Sequence, residues 1–172
     1  MKLDIVAGSQ NDEFYTPREA VEPLLEFVQN ATVWCPFDTD RSHFVGVLSR
    51  RNDVVFSHLS TGENFLTCEV PECDYIISNP PYSKKNEVFS RLFSIGKPFA
   101  MLVGVVGLFD SKFRFELFAR NKFEILYFDK RISYFKSYDD TKPALHPPFS
   151  SVYLTSKLLP ERIVFRNYKG PR

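Results

Sequence analysis

With 172 residues, 44% of them apolar, the chain is long enough for a real core, and the expectation is a single domain over 1–172. No apolar run approaches a membrane span, and Met1-Lys2-Leu3-Asp4 leads into no signal-peptide core, so a cytoplasmic protein with no membrane role is expected. The net charge of +1 hides an asymmetry: residues 1–83 hold 5 Lys/Arg against 13 Asp/Glu, a balance of −8, and residues 84–172 hold 17 against 8, a balance of +9. Such a split reads either as a basic half with a polyanion partner or as two halves that neutralise one another across the fold.

The first twelve residues read as poorly structured. Thr16-Pro17-Arg18-Glu19 then reads as a helix start, with Thr16 as N-cap, Pro17 at the first helical position and Glu19 completing a capping box. Val21, Leu24, Leu25 and Val28 follow at helical spacing, and Pro23 either kinks this helix or marks a later start. A strand is expected over Thr32–Phe37, a helix capped by Ser42 through Val45 and Leu48, a strand over Asp53–Leu59 and another over Asp74–Ser78. Val88, Phe89, Leu92 and Phe93 give a helical face. Phe99–Val106 is a continuous apolar run of the kind found in central parallel strands. Phe113, Leu117 and Phe118 mark a further helix, and Phe123–Phe128, Ser151–Leu154 and Ile163–Phe165 further strands. The three cysteines, Cys35, Cys68 and Cys73, lack metal-ligand spacing and read as free thiols, so no metal is expected. This alternation argues for an α/β fold, a doubly wound and mostly parallel sheet with helices on both faces. Ligands in such sheets bind at the carboxyl ends of the strands. Pro36-Phe37-Asp38 and Asn79-Pro80-Pro81-Tyr82 both follow strands and should both lie there.

Asn79-Pro80-Pro81-Tyr82 carries the most chemistry. Two prolines fix φ and remove two backbone donors, and Pro80 holds Asn79 extended. The result is a rigid turn with outward-facing acceptors. An exocyclic amino group has two N–H donors and a lone pair conjugated into its ring. The Asn79 amide oxygen and the Pro80 carbonyl suit those two hydrogens. Held so, the nitrogen is favoured to become tetrahedral and its lone pair is freed for attack. Tyr82 offers a ring on which a base can stack.

This tetrad, coming after Asp74-Tyr75-Ile76-Ile77-Ser78, resembles the amino-methyltransferases of the Rossmann-like class I superfamily, whose signature is Asn or Asp, Pro, Pro, then Tyr, Phe or Trp. The form with Asn and Tyr looks like the adenine N6 group, and the chain as a whole looks like the short bacteriophage-type enzymes. The likeness is diffuse over 13–155 and sharp at 74–82. It implies a Rossmann-like sheet with an antiparallel C-terminal strand, S-adenosylmethionine as cofactor, and a bacterial or phage-infected cell as the setting. Nucleic acid is the implied partner, DNA ahead of RNA.

Phe14-Tyr15-Thr16-Pro17 resembles the family's N-terminal cofactor motif, which implies contact with the methionine carboxylate. Pro36-Phe37-Asp38 resembles the family's Asp-Pro-Phe-x-Gly-x-Gly cofactor loop. Here Cys35 stands where Asp is usual, and Thr39 and Arg41 replace the glycines, so Asp38 is expected to take over the cofactor's ammonium. After the second strand, where an acid usually holds the ribose, stand His58 and then Glu63. Asn64-Phe65 resembles the family position that hydrogen-bonds the cofactor's adenine, which implies that role for Asn64. Downstream, 129–135 and 147–152 resemble late family segments beside the target. They imply phosphate contact for Arg131 and base contact for Phe135 or Phe149. Lys84 and Lys85 suit phosphate contact or a solvated loop.

The chain is too short for a separate target-recognition domain, so recognition falls to loops such as 83–87 and 137–149, or to a protein partner or homodimer. Two alternatives remain. One is a catalytically degenerate, phage-type binding protein that blocks a host nucleic-acid enzyme, motivated by the glycine-poor loop and the missing ribose acid. The other keeps catalysis on RNA or on a protein glutamine.

Overall fold

Seven strands form one sheet in the order β2-β1-β3-β4-β6-β5-β7. They are β1 (Thr32–Cys35), β2 (Asp53–Phe56), β3 (Tyr75–Ser78), β4 (Phe99–Gly104), β5 (Glu124–Phe128), β6 (Ser151–Ser156) and β7 (Ile163–Arg166). The computed structural model describes residues 14–139 and 141–170, so the expectation for residues 1–12 lies outside the described residues. Neighbouring strands are parallel except at β6, which is antiparallel to both β4 and β5. The antiparallel strand expected in the C-terminal part is therefore β6, while β7 again runs parallel to β5.

Among the described residues, four α-helices flank the sheet: α1 (Arg18–Val21), α2 (His43–Leu48), α3 (Lys85–Ile95) and α4 (Lys112–Arg120). Side-chain alternation along β4 assigns them to two faces. Ala100 and Leu102 join the core built with Val21 of α1 and Phe44 and Leu48 of α2. Phe99, Met101 and Val103 join the one built with Phe89 and Leu92 of α3 and Phe118 of α4. β4 is buried at every position, as its unbroken apolar run predicts. Each of its large side chains contributes about 1.5–3 kcal/mol relative to exposure.

Local chemistry sets where elements stop. Pro23 has no N–H to return to Glu19, so the first helix lasts four residues and continues as a 3₁₀ turn over Glu22–Glu26. The helix start also differs from the sequence reading: Pro17 is the N-cap, no side chain caps it, and Thr16 faces another partner described below. Pro36 ends β1 for the same lack of a donor. The chains stay side by side nevertheless, Ser57 N donating to Cys35 O and Asp38 N to Ser57 O, each at 3.1 Å. That continuation delivers Asp38 and His58 to one edge of the sheet. β1 is followed by β2 on one side, and β3 returns on the other, so the chain reverses its winding between β1 and β3. A crevice is expected at such a switch point.

Candidate active site at the carboxyl edge of the sheet

The crevice is there. A cavity of about 500 Å³ opens beyond the carboxyl ends of β1 and β3. The loop after β1 contributes Phe37 through Ser42, and the turn after β3 contributes Asn79, Pro80 and Pro81. Phe14, Tyr15 and Thr16 close one side, His58 and Ser60 another, and Tyr138 a third.

Asn79 is held from its nitrogen end. Nδ2 donates to Phe14 O at 2.9 Å and to Thr16 Oγ1 at 3.2 Å. A carbonyl opposite Nδ2 fixes which end of the amide is which. Oδ1 is consequently turned away from these partners, buried and without any hydrogen-bond partner. Thr39 Oγ1, also in the lining, is a second buried oxygen with none. Buried polar oxygens without a partner cost about 1–3 kcal/mol each, and both of these belong to residues that line the cavity. Thr16 itself is clamped from behind, its carbonyl lying 2.8 Å from His43 Nδ1.

Asp38 is the buried acid of the cavity, 5% exposed. Burial pushes its pKa up to about 6, against the opposing pull of hydrogen bonds from the Ser42 and Ser78 hydroxyls. Each carboxylate oxygen takes one of these hydroxyls and keeps a further lone pair for a cationic ligand. Cys35 lies buried behind it, its thiol raised by burial first and then by Asp38.

The mouth is strapped. Arg41 forms an ion pair with Asp139, and its guanidinium lies 5.5 Å from the centre of the Tyr138 ring. Tyr138 in turn meets Tyr15 edge-on at 4.3 Å. Backbone bonds between Tyr15 and Phe135, at 2.9 and 3.3 Å, tie the N-terminal segment to the same loop.

Beside the cavity is an aromatic cluster. Tyr82 stacks on Phe14, with centroids 5.3 Å apart, and Phe149 lies 5.9 Å from Tyr82. Tyr134 meets Phe14 at 5.3 Å and donates its hydroxyl to Ser151 Oγ at 2.7 Å. Gly104 at the end of β4 makes room for Phe149: a Cβ there would stand 2.7 Å from the ring.

Of the residues singled out from sequence, Phe14, Tyr15, Thr16, Phe37, Asp38, His58, Asn79, Pro80 and Pro81 meet at one cavity. Tyr82 and Phe149 stand next to it in the aromatic cluster. Pro17 and Pro36 are buried outside the lining, as N-cap of α1 and as the stop of β1. Asn64 is exposed and accepts from Leu66 N at 2.9 Å. Phe135 packs on His43 at 5.9 Å rather than facing the cavity. Lys84 lies 3.8 Å from Glu87, Lys85 sits 5.0 Å over the Tyr82 ring, and Arg131 is exposed. Sequence reasoning did not reach Asp40, Ser60 or the Ser78 hydroxyl, and it reached Tyr138 only within the recognition loop 137–149. Only Ser78, next to Asn79, carried a usable signal.

No protein-family model matches this chain, and no curated protein does. Among solved structures it is similar to a precorrin-6y C5,15-methyltransferase from Geobacter metallireducens GS-15, at 12% identity and a TM-score of 0.40, covering 86% of this chain and 96% of that one. A superposition that loose carries no weight for the chemistry of this site. Among the described residues, no helix is long and apolar enough to cross a membrane.

Proposed function

We propose that the chain is an S-adenosylmethionine-dependent methyltransferase acting on the exocyclic N6 of adenine in nucleic acid, DNA ahead of RNA. The observation that carries this reading is the Asn79 amide, locked by Phe14 and Thr16 so that Oδ1 stands buried and unpaired at the cavity. An acceptor fixed in that way suits an amino N–H and needs no reorganisation to receive it. With Pro80 O as second acceptor, it holds the target nitrogen while its lone pair turns out of conjugation. The nitrogen loses its proton to solvent after attack, so no strong base is required.

The cavity's lining fits the cofactor. Phe14, Tyr15, Phe37 and Tyr138 offer rings to a sulfonium and an adenine, Asp38 suits an ammonium, and Thr39 brings a buried hydroxyl without a partner. S-adenosylmethionine, when bound, supplies an electrophilic methyl group. Asp38 would hold its amino-acid end and Phe37 its apolar parts, with the Arg41–Asp139 ion pair at the mouth. Lys84 and Lys85, directly after the motif, would supply the phosphate contact.

Calorimetric titration with S-adenosylmethionine and S-adenosylhomocysteine, followed by tritiated methyl transfer, tests the reading. A glutamine amide presents the same two N–H donors, so DNA, RNA and a glutamine peptide compete in that assay, and adenine in DNA is expected to win. One observation favours a non-catalytic binding protein instead: the loop after β2 lines the cavity with His58, bonded to Ser60, and with Leu59 and Ser60, and none of these is an acid for a ribose. Absence of cofactor binding at millimolar concentration would select that reading.

A further inference from the structure

The opposite end of the sheet carries a second recess, of about 220 Å³. It lies where β4 begins and β6 ends, Phe99 pairing with Ser156, whereas Asn79 lies beyond the other ends of the parallel strands. Phe93 and Phe99 contribute its floor, and Lys97, Arg120, Lys122 and Lys157 stand around it, with no carboxylate in the lining.

The simplest account of these cations is local. Helices α3 and α4 both end here, at Gly96 and Asn121, and helix carboxyl ends favour positive charge. Lys157 Nζ does donate to Gly96 O at 2.7 Å, and Lys97 Nζ to Cys73 O at 2.6 Å. The magnitudes do not balance, however. Two helix ends present roughly −0.5 each, against four full positive charges. The nearby acids offset part of the remainder and leave the lining cationic: Glu116 pairs with Arg120 at 3.8 Å, and the Glu124 carboxylate accepts from Thr155 Oγ1 and the backbone N–H groups of Lys157 and Leu158. Each tethered ammonium keeps two further donors. Lys157 is moreover held at φ 57°, where glycine or asparagine is the cheaper choice, so the backbone turn does not account for a lysine.

We propose that this recess binds a nucleotide unit, its phosphate on Lys97, Arg120, Lys122 and Lys157 and its base over Phe93 at the apolar floor. The unit is either a free nucleotide or part of a nucleic-acid strand running past the sheet. The site is independent of the Asn79 cavity.

The test titrates the full chain at low salt with inorganic phosphate, thymidine 5′-monophosphate and a short 5′-phosphorylated oligothymidylate, followed by amide NMR. Thymidine monophosphate is expected to bind more tightly than phosphate and to shift amides at 92–97, 120–122 and 156–157. Arg120→Gln/Lys122→Gln, both solvent-facing changes, should weaken it by about tenfold or more. Asn79→Ala should leave it unchanged, which separates this site from the proposed methyl transfer. Affinity that grows with strand length supports a nucleic-acid source, and affinity that does not supports a free nucleotide. Absence of binding by all three probes, binding that the double variant leaves intact, or shifts confined to the Asn79 cavity would overturn the proposal.

Discussion

The two turns that wall the large cavity are built in opposite ways. After β3, Asn79-Pro80-Pro81 is rigid by covalent constraint, and its side-chain nitrogen is tied down so that one oxygen is left open. After β1, the chain has no glycine between Pro36 and Gly46. Its acid, Asp38, is satisfied internally by Ser42 and Ser78, and its outer end is strapped to Asp139 through Arg41. One turn is fixed with an acceptor left unpaired, whereas the other is satisfied within itself. The difference sets a fixed, unpartnered Asn79 Oδ1 on one wall of the cavity and, on the other, an acid satisfied within its own loop beside the Arg41–Asp139 ion pair.

The largest effect that would break this contrast is on the rigid turn. Asn79→Ala removes the open acceptor and leaves both prolines. Methyl transfer should fall by about 10²–10³, the loss typical of one preorganised donor or acceptor. Cofactor affinity by calorimetry should hold. A variant as active as wild type would refute the assignment.

Asp38 sharpens the other side. With its pKa near 6 in the folded chain, it is mostly protonated below that pH and ionised above it. A cationic ligand prefers the ionised form, so affinity for S-adenosylmethionine should rise with pH up to about 6 and then level off, with a slope of at most about tenfold per unit. Asp38→Asn should flatten that profile. The same group acts on stability with a definite sign. A folded pKa of about 6 against an ordinary 3.8 means that Asp38 favours folding at pH 3–4 and withdraws about 3 kcal/mol as pH rises to 6. Denaturant titrations of wild type and Asp38→Asn across that range measure the difference.

Thr16→Val is a smaller cut at the rigid turn. It removes one of the two acceptors that hold Asn79 Nδ2 and preserves shape. Losing one such bond, worth about 1 kcal/mol, should lower kcat by about fivefold with little change in KM, and Thr16→Ser should restore it. The smallest effect on stability belongs to Arg41→Ala. Both partners of its ion pair are largely exposed, so stability should change by about 0.5 kcal/mol or less. The association rate of the cofactor, by stopped flow, should rise if the strap gates the mouth.

Much of the fold was legible in order along the chain. Hydrophobic patterning located every described strand and all four described helices, the first with a different cap and a shorter span, because burial on both sheet faces forces apolar runs such as 99–104. Ends were less legible. Thr16 has the right chemistry for a helix cap, yet its hydroxyl accepts from Asn79, 63 residues away. Local propensity carries no information about a partner that only folding brings near.

The Asn-Pro-Pro-Tyr turn, its rigidity and its place after a buried strand were determined by sequence alone, since proline geometry and strand patterning are local properties. Which way the Asn79 amide faces, that Asp38 is buried against Ser42 and Ser78, and that Tyr138 and Asp139 reach across to Arg41 were decided only by tertiary structure. The physical reason is that orientation, desolvation and closure depend on groups contributed by separate elements, and the winding reversal between β1 and β3 is what brings those elements to one cavity.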